Sequence, residues 1–161
     1  MQEFRGKRVA HEYVQNNVAP PERVFPLLCP VREADWVPGW AYELIYSKSG
    51  VAELGCVFNT LSDDGQPTVW MVTEYDPQQF VIGFAWVLAG LVATRIRISL
   101  ERDGAGTRTH IHYVYTGLST AGNQEIERYD QDWFIHKMTS WQTAINHYLQ
   151  TGRKVEAGTW E

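Results

Sequence analysis

Gln124 to Thr151 reads QEIERYDQDWFIHKMTSWQTAINHYLQT, with no glycine and no proline. Ile126, Trp133, Phe134, Lys137, Met138, Trp141, Ile145, Tyr148 and Leu149 recur at helical spacing, so the run reads as one long amphipathic helix. At 1.5 Å per residue it spans about 40 Å. Gly152 supplies a C-terminal stop. Before Ser119 the period changes to two. Ala93 to Arg102, ATRIRISLER, sets Thr94, Ile96, Ile98 and Leu100 against Arg95, Arg97, Ser99 and Glu101. Thr107 to Leu118, TRTHIHYVYTGL, alternates in the same way.

Further strands are read at Arg8–Val18, Tyr42–Ser49, Cys56–Thr60, Thr68–Tyr75 and Phe80–Val87, with Gly83 as a bend or bulge. Ser49-Gly50, Asp63-Asp64-Gly65, Asp76-Pro77 and Asp103-Gly104-Ala105-Gly106 mark turns. After the first strand, Pro21 followed by Glu22 signals a helix start, with Val24, Phe25, Leu27 and Leu28 on its buried side. Pro30 stops or kinks that helix. The order is therefore strand, one or two short helices, a run of antiparallel strands, then one long helix. That order predicts an α+β domain with the helix on one face of the sheet. The expected domain is 1–152, followed by a loose tail 153–161 in which only Trp160 has reason to pack.

At 161 residues a single domain can bury a sizeable core. The net charge of −5 and the absence of any Lys/Arg run argue against a nucleic-acid surface. The charged N-terminus carries no apolar export segment, which predicts a cytoplasmic protein. The apolar stretch Phe80 to Ala93 is too short to span a membrane, so no integral membrane association is expected. Cys29 and Cys56 fit no metal-binding spacing and read as reduced, buried thiols.

One helix against a curved sheet leaves volume to fill. Seven tryptophans and an aromatic content of 13% supply the means. Phe80, Phe84 and Trp86 alternate with Gly83 and Ala85, and Tyr113 and Tyr115 alternate with His112 and Val114. The helix adds Trp133, Met138 and Trp141. Residue types alone leave open a packed aromatic core or a pocket walled by aromatics.

Several phrases resemble the SRPBCC superfamily, the helix-grip fold of START lipid-transfer domains, birch-pollen-allergen-type proteins, polyketide cyclases and the activator of the heat-shock ATPase. They are Ala19-Pro20-Pro21-Glu22-Arg23-Val24-Phe25, Val72-Thr73-Glu74-Tyr75-Asp76-Pro77, Gly106-Thr107-Arg108-Thr109, and the helix end Tyr148-Leu149-Gln150-Thr151-Gly152. The phrase CPVRE…W…GW is similar to a bacterial subgroup. The resemblance spans nearly the whole chain. It implies a seven-stranded curved antiparallel sheet wrapped around the C-terminal helix, two short helices after strand 1, and an apolar cavity between sheet and helix. It also implies a hydrophobic or aromatic small molecule, such as a lipid, as partner. No cofactor is implied.

In that frame Trp36, Trp40, Tyr75, Phe84, Trp86, Tyr113, Tyr115, Trp133, Met138 and Trp141 are the candidate ligand walls. The stretch Cys29–Trp40, CPVREADWVPGW, reads in two ways. It is a stiff lid with inward indoles and Arg32, Glu33 and Asp35 at a solvated rim, or an anchor whose indoles seal the core. Glu43 and His136 are the weak catalytic candidates, for a cyclase or aromatase alternative. A regulatory interaction module, working through its surface, is the third reading. His110 and His112 share a strand face and His11 can join them if the first and last strands pair. That face also carries Arg95 and Arg97, so no metal is expected there. It reads instead as solvated, or as a homodimer contact.

Overall fold

The computed structural model describes residues 3–61 and 65–156. Seven strands form one antiparallel sheet: β1 (Arg8–Asn17), β2 (Tyr42–Tyr46), β3 (Val57–Leu61), β4 (Pro67–Asp76), β5 (Val81–Leu88), β6 (Val92–Asp103) and β7 (Gly106–Gly117). Their spatial order is β1-β7-β6-β5-β4-β3-β2. Each strand after β2 therefore lies beside its predecessor, and β1 closes onto the last strand. Between β1 and β2 lie α1 (Pro21–Val24), a 3-10 turn (Phe25–Leu27) and α2 (Pro30–Trp36). After β7 come α3 (Thr120–Glu127) and α4 (Gln131–Thr151). This is the helix-grip architecture. Among the described residues no helix is long and apolar enough to cross a membrane.

The alternation read in β6 and β7 holds. Ile96, Ile98 and Leu100 are buried with Ile111, Tyr113 and Tyr115, while Arg95 and Arg97 are exposed. Gly83 faces a register shift in β4 between Val72 and Glu74. A Cβ at Gly83 would stand 3.0 Å from the Glu74 Cβ, so the bulge lies on β4 and the glycine makes room for it. Cys29 and Cys56 are free and buried, as expected. Asp63, Asp64 and Trp160 lie outside the described residues. In the tail, Val155 packs against the core.

Two sequence expectations are corrected. The C-terminal helix is not continuous from Gln124. Asp130 interrupts it as an N-cap, its side chain accepting from the Trp133 N–H at 2.9 Å. Ser119 caps α3 likewise, accepting from the Gly122 N–H at 3.0 Å. The long helix therefore has 21 residues, about 32 Å. The Cys29–Trp40 stretch is not a loop. Pro30 starts α2 at a position where the missing N–H costs nothing.

The C-terminal half of α4 is fastened to β1 by amides. Asn146 Oδ1 accepts from Asn17 Nδ2 and from the Val18 N–H, both at 3.2 Å, and its Nδ2 donates to the Asn16 carbonyl at 2.8 Å. One turn earlier, Gln142 Oε1 accepts from the Tyr13 hydroxyl and the Asn16 N–H. Asn17 is buried and also accepts from Thr109 at 2.6 Å and from Gln15 at 3.2 Å. Replacing Asn146 by Ala leaves the buried Asn17 amide unpaired, while the exposed Val18 N–H and Asn16 carbonyl turn to water. The expected cost is about 1–3 kcal/mol, that of one buried unsatisfied group. Urea denaturation checks it, and a midpoint equal to the parent's refutes the clamp.

Candidate functional site

The concave face of the sheet meets α4 in a run of aromatic rings. Trp40 lies 6.5 Å from Trp70, and Trp70 lies 6.0 Å from both Phe84 and Trp86. Trp86 reaches Tyr115 at 6.3 Å, and Tyr115 reaches Trp133 at 6.0 Å. These are edge, tilted and T-shaped contacts of the kind rings prefer. Burial divides the run. Phe84, Tyr113, Tyr115, Phe134 and Met138 are sealed, whereas Trp40, Trp70, Trp86, Trp133 and Trp141 are only half-buried. The deep part of the grip is packed, and the rings left half-buried are indoles.

Two ionisable side chains enter this region. Lys137 follows Trp133 by four residues and precedes Trp141 by four, so the three share one face of α4. Its ammonium lies 5.2 Å from the Trp133 ring centre and 5.3 Å from that of Tyr113. It makes no ion pair among the described residues. Burial lowers its pKa from 10.5 to about 8. Glu33 comes from α2, one turn before Trp36 on the same side. It is only 6% exposed. Burial raises its pKa from 4.5 to about 8. Tyr113 stands near both groups: its own pKa is raised first by burial and then by the charge of Glu33. The Tyr115 hydroxyl is sealed and unpartnered, and burial again pushes its pKa up.

The sequence candidates distribute as follows. Phe84, Trp86, Tyr113, Tyr115, Trp133 and Trp40 belong to the ring run, and Met138 lies fully buried in the same core. Trp36 is fully buried, donates to the Leu27 carbonyl at 2.9 Å, and meets Trp141 edge-on at 5.2 Å. The Trp40 indole donates to the Pro30 carbonyl at 2.8 Å. Both bonds tie α2 to its surroundings, so the geometry is that of an anchor. Tyr75 stands apart from the run. It lies 5.8 Å from Phe25, beside a shallow hollow of about 150 Å³ that Cys29, Arg32 and Ala52 also line.

Glu43 and His136 are exposed. Glu12 faces outward, 3.9 Å from His112. His110 and His112 line an outer hollow of about 270 Å³ with Arg97. His11 pairs with Tyr113 in register and so takes the opposite face. There it stacks on Phe134 at 4.9 Å, and its Nε2 lies 2.6 Å from the Tyr129 carbonyl oxygen. The three imidazoles are thus not assembled.

Of the rim charges expected in α2, Arg32 and Asp35 do lie outside, paired at 3.0 Å. Glu33 does not: it is buried. Sequence reasoning missed Glu33, Trp70 and the chemistry of Lys137. The spacing had placed Lys137 on the inner stripe. A helix over Pro30–Trp36 would have placed Glu33 one turn from Trp36.

The sequence matches no family model and no curated protein. Solved structures do match. Ara h 8.0201 aligns with a TM-score of 0.63 at 14% identity, over 90% of this chain and 99% of its own. Norcoclaurine synthase from Thalictrum flavum aligns at 0.67 and 12% identity, over 91% and 88% of the two chains. The same synthase has been solved with dopamine and hydroxybenzaldehyde. DynU16, from the dynemicin biosynthetic locus, aligns at 0.60 and 16% identity over 89% of this chain, which spans about half of that protein, 48%. At these identities the likeness establishes the fold.

The burial of Glu33 gives a stability signature. Folded protein holds this proton to about pH 8, while an ordinary Glu releases it near 4.5. Between those values the native state binds the extra proton, so this group's contribution to stability falls as pH rises. Glu33→Gln removes that loss. Its melting temperature should match the parent's at pH 5 and exceed it by several degrees at pH 9. An equal difference at both pH values would refute a buried, neutral Glu33.

Proposed function

We propose that the protein binds a hydrophobic or aromatic small molecule on the concave side of the sheet, against α4. The carrying observation is the half-buried indole wall of Trp40, Trp70, Trp86, Trp133 and Trp141. Indoles left partly open beside a packed core offer flat apolar area at low ordering cost. The ligands held by norcoclaurine synthase, dopamine and hydroxybenzaldehyde, are aromatic, which supports the same ligand class here.

A second reading, acid–base catalysis of cyclase or aromatase type, draws on Glu33 and Lys137. Both sit beside Tyr113 with pKa values near 8. Poised titratable groups in an apolar site are what such chemistry needs. Glu43 and His136 point to solvent, so Glu33 and Lys137 replace them as the residues of this reading.

Titration with 1-anilinonaphthalene-8-sulfonate, followed by its fluorescence, tests the pocket. Trp133→Ala and Trp86→Ala should each weaken binding about tenfold, or about 1.4 kcal/mol. Ile45→Ala, exposed on β2, should leave it unchanged. Equal effects of all three variants would remove the pocket from consideration. Mass spectrometry of compounds released on denaturing protein from its own cells would then give the ligand's class.

A further inference from the structure

The outer face of the sheet, which also carries His110 and His112, has an exposed apolar strip. Val69 and Met71 are each 47% exposed on it, and Val87 is 41% exposed. They alternate with Trp70, Phe84 and Trp86, which turn to the inner face. Register arranges the strip in two rows across the strands. One runs Glu43–Asn59–Val69–Val87–Ala93–Thr116, from β2 to β7. The next runs Val57–Met71–Ala85–Arg95–Val114, from β3 to β7. Arg8 on β1 reaches back over β7, its Nε donating to the Thr116 hydroxyl at 3.1 Å. The first row thus has a carboxylate at one end, a guanidinium at the other and an apolar middle. Glu43 and Arg8 are both exposed and in no ion pair among the described residues.

We propose that this face joins two copies of the chain, sheet against sheet, about a two-fold axis running along the strands between β4 and β5. Such an axis sets β4 against β5, β3 against β6 and β2 against β7 of the second copy. Val69 then meets the partner subunit's Val87, and the long Met71 meets the partner subunit's small Ala85. Glu43 meets the partner subunit's Arg8, whose guanidinium already lies over β7. Symmetry repeats each contact at the other end. Sheets packed in this way lie about 10 Å apart, with their strands within about 30° of each other. A hollow of about 260 Å³, bounded by Ala85, Val87, Ala93 and Val114, opens on the β5–β7 half. It lies where the β2–β4 half of the second copy projects.

Charge decides the occupant. A lipid surface, or a partner of one sign, is matched by one sign of charge across the face. Opposite signs at positions that a two-fold axis exchanges match a second copy. Within one chain the two charges are five strand spacings apart, about 24 Å, too far to pair with each other. The strip is narrow, because the row after Met71 and Arg95 is polar, with Arg97 paired to Glu74 at 3.0 Å. A small face of this kind suits reversible association in the micromolar range. The inner face and α4 take no part, so dimerisation is independent of ligand binding.

Sedimentation velocity of the full chain at low salt, from about 5 to about 500 µM, reads the equilibrium. The parent should pass from monomer to dimer over that range. Val69→Asp should weaken association about tenfold or more, since it buries a charge in the strip. Ile135→Asp, exposed on α4, adds the same charge elsewhere and should change nothing. Glu43→Arg and Arg8→Glu should each weaken association about tenfold, by placing like charges together. The double variant should return to within about threefold of the parent. Melting temperatures confirm that each variant folds, and the charge exchange decides the register even where Val69→Asp does not. A parent that stays monomeric throughout overturns the dimer. A dimer untouched by Val69→Asp places the association on another face and overturns the proposal. Two weakened single charge variants with no recovery in the double variant overturn the two-fold register.

Discussion

The carboxamide of Asn146 joins the long helix to the edge of the sheet, and the geometry of the interior depends on it. β1 is an edge strand, and its terminal N–H and C=O groups would otherwise face water. Asn146 and Gln142 supply that partner from α4, with distances of 2.8 to 3.3 Å. Amide pairs of this kind fix both the rotation and the depth of a helix, which apolar contact alone does not. The other half of α4 has no such polar tie to β1. Phe134 touches Tyr113 and His11 through ring faces and edges, and Trp133 stacks on Tyr129 at 4.3 Å. The helix is thus latched at its C-terminal end and cushioned at its N-terminal end. Lys137 lies in the cushioned half.

A second constraint is volume. One helix of about 32 Å cannot cover the inner face of seven strands. α2 fills part of the remainder, held by the indole bonds of Trp36 and Trp40 to carbonyls of its own neighbourhood. Rings fill the rest, from Trp70 on β4 to Tyr115 on β7. Large rigid side chains fill space with few conformers to lose, yet flat faces tile a concave surface incompletely. Sealed rings at depth and half-open indoles at the flank are the outcome.

The sequence carried the strands well because each buries one face, and period two survives wherever one face is wet. β6 and β7 are the clearest cases. It carried the α4 stripe for the same reason. The break at Asp130 was hidden because Arg128-Tyr129-Asp130 contains no glycine or proline. Only the capping role of Asp130 marks it, and an aspartate inside a helical pattern also reads as a surface residue. Glu33 was hidden more deeply. Residue type puts a glutamate outside, and only the register of a helix begun by Pro30 turns it inward with Trp36. Glu43 and His136 looked chemical because of their residue types, but strand and helix phase point both away from the interior.

Fold does not choose among the functions this architecture hosts, and identities of 12–16% to solved structures add nothing to that choice. The choice lies in what this chain does at unusual cost. A carboxyl and an amine whose charged forms are disfavoured by burial both lower stability. A leucine at either position would avoid the cost, and a direct Glu33–Lys137 pair would offset part of it. The chain has neither. Both groups lie beside Tyr113 and are left for something else to satisfy. A ligand that bonds to them recovers free energy that the empty protein lacks, and its affinity is raised accordingly. Stability given up at one place, beside half-buried indoles, is the physical argument for the proposed ligand site.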